Sequence, residues 1–294
     1  MFHKILCATD FSPGSQQATK AAVRIAEAHA AELVLTHVRH LPALAFAGEQ
    51  PFAPHVIQLM TEDEERGLAA ALQEAQALGA RRARTQLVSG LPADQIVESL
   101  RAEAAYDLAV VGTQGRSGVG RLLLGSVAER VIRHAPCSVL VVRAPAAQAS
   151  FDRVLCPIDF SECSRHAVSL AAVMAAPRGA GITLLHAIEV PVTYSGAPSV
   201  GDFVENLYDH ATQVLAAWAA ELRAKVEVPV TTRLEIGHPG AEILKVVEEA
   251  PPFELVVVGS HGRTGVRRLW YGSVAEKVAR HASCSVLVTR VRSS

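Results

Sequence analysis

Two stretches of the chain carry the same pattern of glycines directly after a run of apolar residues. They are Gly112-Thr-Gln-Gly115 with Gly125-Ser126 after nine residues, and Gly259-Ser-His-Gly262 with Gly272-Ser273 after nine residues. Glycine lacks a Cβ atom and tolerates positive φ, so successive backbone N–H groups in such a loop can converge on an anion. A helix that starts after the last glycine adds its own N–H groups and the positive end of its dipole. The pattern therefore predicts two sites for a phosphate-bearing ligand.

The two glycine patterns belong to an internal repeat that covers both halves of the chain. Residues 105–142 and 252–289 align without gaps at 24 identities in 38 positions. Other matched pairs are Asp10 with Asp159, His37 with His186, and Gly90 with Gly237. We expect two domains, residues 1–147 and 148–294, joined by a linker at 144–150 that contains Pro145 and small residues.

Each half alternates segments typical of strands and of helices. The expected strands of the first half are Lys4–Thr9, Leu33–Val38, Ala83–Val88, Asp107–Val111 and Ser138–Val142. The intervening helices are expected at about 15–31, 56–78, 92–103 and 126–134, with loops at 40–55 and, in the second half, at 190–201. Such alternation predicts an α/β fold with a parallel sheet in each half and helices on both faces. Ligands of these sheets bind at the carboxyl ends of the strands.

The serine after each last glycine has a structural interpretation of its own. Ser126 and Ser273 begin the sequence Ser-Val-Ala-Glu, which is a capping box: the serine caps the helix, and Glu129 or Glu276 reaches back to it. The capping box predicts a helix start here whether or not a ligand binds.

Three further groups of polar residues allow two interpretations each. Asp10 and Asp159 either cap the following helix or face the base or metal of a ligand, because a carboxylate repels bare phosphates. The two repeated histidines either polarise a phosphate or are hydrogen-bonded structural residues. The arginines of the glycine loops either clamp phosphates or stay solvated; they are Arg116, Arg121, Arg263, Arg267 and Arg268.

The pattern G-x-x-G-x9-G-S/T, present twice, resembles the ATP-binding branch of the universal stress protein family in its tandem form. The resemblance covers both halves and implies two open, five-stranded, Rossmann-like parallel sheets with strand order 3-2-1-4-5. It implies ATP, together with Mg²⁺, as the ligand. It also implies pairing through the last strands, Ser138–Val142 and Ser285–Thr289, either within the chain as a pseudo-dimer or between two copies as a homodimer.

The same resemblance implies one set of nucleotide-binding residues in each half. In the first half these are Ala8, Thr9, Asp10, Val38, Gly112, Gly115, Arg116, Gly125, Ser126 and Val127. In the second half they are Pro157, Ile158, Asp159, Ala187, Gly259, Gly262, Arg263, Gly272, Ser273 and Val274.

The remaining features of the sequence exclude several classes of protein. Gly120–Ser126 has the spacing of a P-loop, but Ser126 stands where that motif requires lysine. A net charge of −1 and a pI near 6.9 give no basic footprint for nucleic acid. No apolar stretch approaches the roughly 20 residues that cross a bilayer. The five cysteines have no metal-ligand spacing. These features, with a strand that begins almost at the N-terminus, favour a cytoplasmic location.

The sequence thus predicts an ATP-binding, regulatory stress-response protein with at most slow hydrolysis. It contains no dedicated nucleophile or base, so catalytic residues are not assigned. Two alternatives stay open: a module that binds a protein partner without nucleotide, and a slow ATPase.

Overall fold

The computed structural model describes residues 1–40, 54–102, 105–113, 124–143, 151–189, 200–260 and 272–291. The chain divides into two compact units, Met1–Ala147 and Gln148–Ser294. None of the helices in the described ranges is long and apolar enough to cross a membrane. The expected loops, the linker and most of each glycine loop fall largely outside these ranges.

The first unit is an open parallel sheet with helices between its strands. In chain order its elements are β1 (Lys4–Ala8), α1 (Pro13–His29), β2 (Glu32–Arg39), α2 (Pro54–Ala77), β3 (Ala83–Ser89), α3 (Pro92–Ala102), β4 (Leu108–Gly112), α4 (Ser126–His134) and β5 (Ser138–Val142). The strand order is β3-β2-β1-β4-β5, and every pairing is parallel. This order confirms the predicted 3-2-1-4-5 sheet.

The second unit repeats the arrangement. Its elements are β6 (Arg153–Pro157), α5 (Glu162–Ala175), a short 3₁₀ helix (Ala176–Arg178), β7 (Gly181–Ile188), α6 (Val200–Arg223), β8 (Val230–Ile236), α7 (Pro239–Glu248), β9 (Leu255–Gly259), α8 (Ser273–His281) and β10 (Ser285–Thr289). The order β8-β7-β6-β9-β10 is again parallel throughout. Because the first and fourth strands of each unit are parallel neighbours, their carboxyl ends lie side by side at one edge.

The strands form where the sequence is continuously apolar, because both faces of the sheet are covered. β4, β5, β9 and β10 are buried along almost their whole length. The helices that follow β1 and β6 begin at serine caps: Ser12 accepts from the N–H of Ser15, and Ser161 accepts from that of Ser164. Residue bounds of the first unit differ from the expected ones by at most two positions, as is usual for helix and strand ends.

Candidate functional site

A cavity of about 200 Å³ lies at the carboxyl edge of the first sheet, where the order of the strands reverses. The ends of β1, β2 and β4 form its floor, and the start of α4 forms one wall. Its lining includes Ala8, Thr9, Asp10, Val38, Gly112, Gly125, Ser126 and Val127. Eight of the ten residues predicted for this half are therefore brought together around one cavity.

A tight turn after β1 presents Asp10 to this cavity. Asp10 Oδ1 accepts hydrogen bonds from the backbone N–H of Ser12 at 3.1 Å and from its hydroxyl at 2.5 Å. Ser12 in turn caps α1 by accepting from the N–H of Ser15 at 3.3 Å. The serine, rather than the aspartate, is the helix cap, and the aspartate orients the serine. Phe11, between them, has a φ of 64°, a left-handed conformation that non-glycine residues rarely adopt.

The repeated histidine supports this turn from the neighbouring strand. Nδ1 of His37 lies 2.7 Å from the carbonyl oxygen of Thr9, and the ring packs on Phe11 with a centroid separation of 4.5 Å. Nε2 of His37 lies 3.7 Å from Glu64, whose other carboxylate oxygen contacts Arg39. These contacts favour the interpretation of His37 as a hydrogen-bonded structural residue.

The helix that forms one wall of the cavity, α4, begins at a cap residue without a side chain. Gly125 is the N-cap residue, with an extended backbone and no side chain to accept from the first turn, and the helix starts at Ser126. The predicted capping box is therefore wrong: Ser126 is one position inside the helix, and the N–H of Glu129 bonds to the carbonyl of Gly125. The first-turn N–H groups of Ser126, Val127 and Ala128 belong to residues that line the cavity.

Two of the glycines have packing reasons that need no ligand. A Cβ atom on Gly112 would lie 2.9 Å from the backbone carbonyl of Gly14, at the start of α1. A Cβ atom on Gly125 would lie 2.7 Å from the carbonyl oxygen of Thr113. These approaches are closer than real Cβ atoms tolerate, so a side chain at either position would push the neighbouring backbone away.

The second unit has a matching cavity of about 320 Å³. Asp159 Oδ1 accepts from the N–H and hydroxyl of Ser161 and from the hydroxyl of Ser164. Nδ1 of His186 lies 2.8 Å from the carbonyl oxygen of Ile158, and Gly272 is again a cap without a side chain. The predicted residues that line this cavity are Pro157, Ile158, Asp159, Ala187, Gly259, Gly272, Ser273 and Val274.

The two cavities differ in their walls. Val38 and Thr36 on β2 correspond to Ala187 and Leu185 on β7, so the second cavity is wider at the position of Val38 and more apolar at the position of Thr36. Glu189 adds a carboxylate to the second lining. We expect the two units to differ in affinity for a shared ligand.

Four predicted residues lie outside the described ranges: Gly115, Arg116, Gly262 and Arg263. The other loop arginines, Arg121, Arg267 and Arg268, also lie outside them. Their predicted contacts with phosphate stay predictions.

Sequence reasoning missed part of each cavity. Pro92 and Ile96 of α3 line the first, and Pro239 and Ile243 of α7 line the second. A signal was present, because Gly90-Leu-Pro92 and Gly237-His-Pro239 are matched in the repeat. Ser15 and Ser164 were missed as well, although a serine occurs at each of these matched positions.

The thiols beside the cavities are not reactive groups. Cys7 and Cys156 are fully buried in β1 and β6. Burial raises the pKa of the Cys7 thiol to about 12 and also raises the pKa of Cys156. Neither supplies a thiolate near neutral pH. Within the described ranges no cluster of three or more His, Cys, Asp or Glu side chains could hold a metal ion.

The fold and the two cavities define a tandem α/β protein with Rossmann-like strand order and one carboxyl-edge cavity in each unit. The model of the universal stress protein family matches residues 1–143 and again residues 150–290. The chain belongs to the universal stress protein family, in a tandem arrangement.

Individual relatives agree with this assignment. A universal stress protein of Mycolicibacterium smegmatis is 31% identical over 98% of this chain and 97% of its own length. A universal stress protein of Thermus aquaticus is 39% identical over 49% of this chain and 100% of its own length. The crystal structure of a universal stress protein from Archaeoglobus fulgidus is 24% identical, covers 98% of both chains and superposes with a TM-score of 0.73, which shows a shared fold.

Proposed function

We propose that each unit binds ATP together with Mg²⁺ and that the protein acts as a nucleotide-dependent regulator of a stress response. The observation that carries the proposal is the recurrence, in both units, of a carboxyl-edge cavity with one wall formed by a helix N-terminus whose cap residue is glycine. An uncapped first turn offers backbone N–H groups and a positive dipole end to an anion.

The walls of the cavity suit the separate parts of a nucleotide. The phosphates would lie at the first turns of α4 and α8, beside Gly125-Ser126 and Gly272-Ser273. The nucleoside would lie over the ends of the first two strands of each unit, against Val38 in one and Ala187 in the other. Apolar side chains of the neighbouring helix, Ile96 in one unit and Ile243 in the other, also line the cavities and suit a base.

The described residues fit a magnesium ion that the nucleotide brings with it. Mg²⁺ is commonly held by phosphate oxygens, several waters and one or two carboxylates rather than by a cage of protein ligands. Asp10 and Asp159 supply one carboxylate to each cavity. When bound, the ion would neutralise charge on the phosphates.

The hydrogen bonds of these carboxylates lead us to expect that any hydrolysis of ATP is slow. In the second unit Asp159 Oδ1 already accepts three hydrogen bonds from Ser161 and Ser164. A carboxylate occupied in this way positions the turn and is poorly placed to take a proton from water. We therefore expect nucleotide to persist in the complex and to act through shape or through a protein partner.

Substitution of the two exposed helix-start serines tests the proposal. Ser126→Asp and Ser273→Asp place a negative charge where it favours the helix dipole, so we expect folding to be retained, yet the charge repels a bound phosphate. Calorimetric titration with ATP and Mg²⁺ should give two sites in the wild-type chain. Each single variant should weaken one site by about tenfold or more, and the double variant should weaken both.

Ser126→Ala and Ser273→Ala are the matched controls, since they remove the hydroxyl without adding charge. They should retain most of the affinity. Absence of ATP binding by the wild-type chain, or full affinity in the folded double aspartate variant, would overturn the proposal and favour a nucleotide-independent interaction module. Association through the last strands, within the chain or between two copies, stays a prediction of the sequence, as does the cytoplasmic location.

A further inference from the structure

The amino edge of each sheet, opposite the proposed nucleotide site, differs between the two units in a way that suggests a second ligand. In the first unit the strand starts carry an ion cluster: Lys4 Nζ lies 3.6 Å from Glu32, and Arg84 Nε lies 2.8 Å from the other oxygen of Glu32. The pKa of Glu32 is lowered, first by its hydrogen bond from Arg84. One carboxylate thus serves two cations.

The second unit keeps a cation but lacks this carboxylate. Lys4 pairs with Glu32 in the register of β1 and β2, and Arg153 pairs with Gly181 in the register of β6 and β7. The aromatic partner is also repeated: Lys4 lies over Tyr106, and Arg153 over Phe253, each 5.0 Å from the ring centroid. Glycine therefore stands where the first unit has its glutamate.

The space left by that glutamate is open. A Cβ atom on Gly181 would meet nothing within 4 Å. Thr231 takes the register position that Arg84 has in the first unit, and its hydroxyl lies 2.9 Å from that of Thr183. In the part of the chain that the structure describes, the guanidinium of Arg153 stacks on Phe253 and contacts no carboxylate.

A cavity of about 300 Å³ occupies this edge of the second unit. Its lining includes Arg153, the hydroxyl-bearing Thr183, Thr231 and Thr232, the carboxylate of Glu249 and the ring of Phe253. The other cation in the lining, Arg233, is already held by Glu249 and Glu235. Arg153 is therefore the cation of this cavity that lacks a carboxylate partner among the described residues.

We propose that this cavity binds a small organic carboxylate, which takes at Arg153 the place that the Glu32 carboxylate has beside Lys4. The guanidinium would supply paired N–H donors to the carboxylate. The threonine hydroxyls would supply further donors, and Phe253 an apolar floor for the carbon chain. The cavity exceeds the size of a single ion, so a two- to four-carbon acid fits it better than chloride.

Titration with succinate, followed by nuclear magnetic resonance, tests this site in the full chain. The Nε–Hε signal of Arg153, assigned by its loss in Arg153→Lys, should shift and saturate as sodium succinate is added. Sodium chloride at equal ionic strength should give no saturating shift. Gly181→Glu should raise the half-saturating concentration by about tenfold or more, because the new side chain occupies the space and pairs with Arg153.

Gln213→Glu, on the exposed face of α6, adds the same charge elsewhere and is the matched control. This variant should keep the half-saturating concentration of succinate within about twofold of the wild-type value, because distant exposed charges are screened. A shift that does not saturate, a shift that chloride reproduces, or saturation unchanged by Gly181→Glu would each overturn the proposal. The readout does not involve ATP, so it is independent of the proposed nucleotide sites.

Discussion

Nδ1 of His37 lies 2.7 Å from the carbonyl oxygen of Thr9, and the repeat reproduces this contact between His186 and Ile158 at 2.8 Å. The bond ties the end of the second strand of each unit to the turn that presents the aspartate. Each histidine therefore acts on its cavity through the backbone carbonyl that it contacts, that of Thr9 or of Ile158.

Replacing this histidine should loosen the turn. In His37→Phe the buried carbonyl of Thr9 loses its donor, and we expect the free energy of unfolding to fall by about 1–3 kcal/mol. His186→Phe should lower the free energy of unfolding by a similar amount. His3 is exposed, so His3→Phe should leave the free energy of unfolding within about 0.5 kcal/mol of the wild-type value. Urea unfolding followed by circular dichroism measures all three, and equal stabilities of wild type and His37→Phe would contradict the assigned role.

The glycines that end β4 and β9 should differ in their tolerance of a methyl group. A Cβ atom on Gly112 would lie 2.9 Å from the backbone of Gly14, whereas one on Gly259 would lie 3.2 Å from the backbone of Cys163. We expect Gly112→Ala to lower the free energy of unfolding by about 1–3 kcal/mol and Gly259→Ala to lower it less. Urea unfolding measures both losses. A larger loss of stability in Gly259→Ala than in Gly112→Ala would contradict the packing argument.

Removing one partner of the ion pair between Arg39 and Glu64 should destabilise the protein more than replacing both partners by apolar residues. Arg39 and Glu64 are each 15% exposed, and among the described residues the buried Nη2 atom of Arg39 has no hydrogen-bond partner. Glu64→Leu leaves the guanidinium without its carboxylate and should destabilise by about 3 kcal/mol. The double variant Arg39→Ile/Glu64→Leu should be more stable than Glu64→Leu alone, because it leaves no unpaired guanidinium. Isoleucine is chosen because Ile188 is the residue at the matched position of the second unit. A double-mutant cycle in urea measures this difference; a double variant less stable than the single would refute it.

Alkaline pH should destabilise the protein partly through Cys7. Burial holds its pKa in the folded state at about 12, against 9.0 for the exposed thiol. Above pH 9.0 the unfolded chain releases this proton and the folded chain does not, so the free energy of unfolding falls as pH rises from 9.0 towards 12. Between about pH 8 and about pH 10 the fall should be shallower in Cys7→Ala than in wild type. Parallel slopes in a urea series would show that this thiol does not contribute.

The local sequence was sufficient to predict the elements and their succession along the chain, because that information is periodic and repeated. Apolar runs such as Ser138–Val142 and the helix Ser126–His134 have the bounds expected from the sequence. The repeat of Asp10 with Asp159 and of the glycine pattern was enough to propose two matched sites. These signals depend on residue type and spacing, which need no tertiary information.

The tertiary structure decided what each residue does. Ser126 is not the cap of its helix because Gly125 has the extended backbone of the cap residue, and the N–H of Gly125 donates to the carbonyl oxygen of Thr113 at 2.9 Å. The partner of Nδ1 of His37 is the carbonyl oxygen of Thr9, which lies just after β1 and 28 positions away along the chain. The strand register sets Gly181 opposite Arg153, and a Cβ atom at Gly181 would meet nothing within 4 Å. Contacts across strands depend on register, and register is a property of the folded sheet.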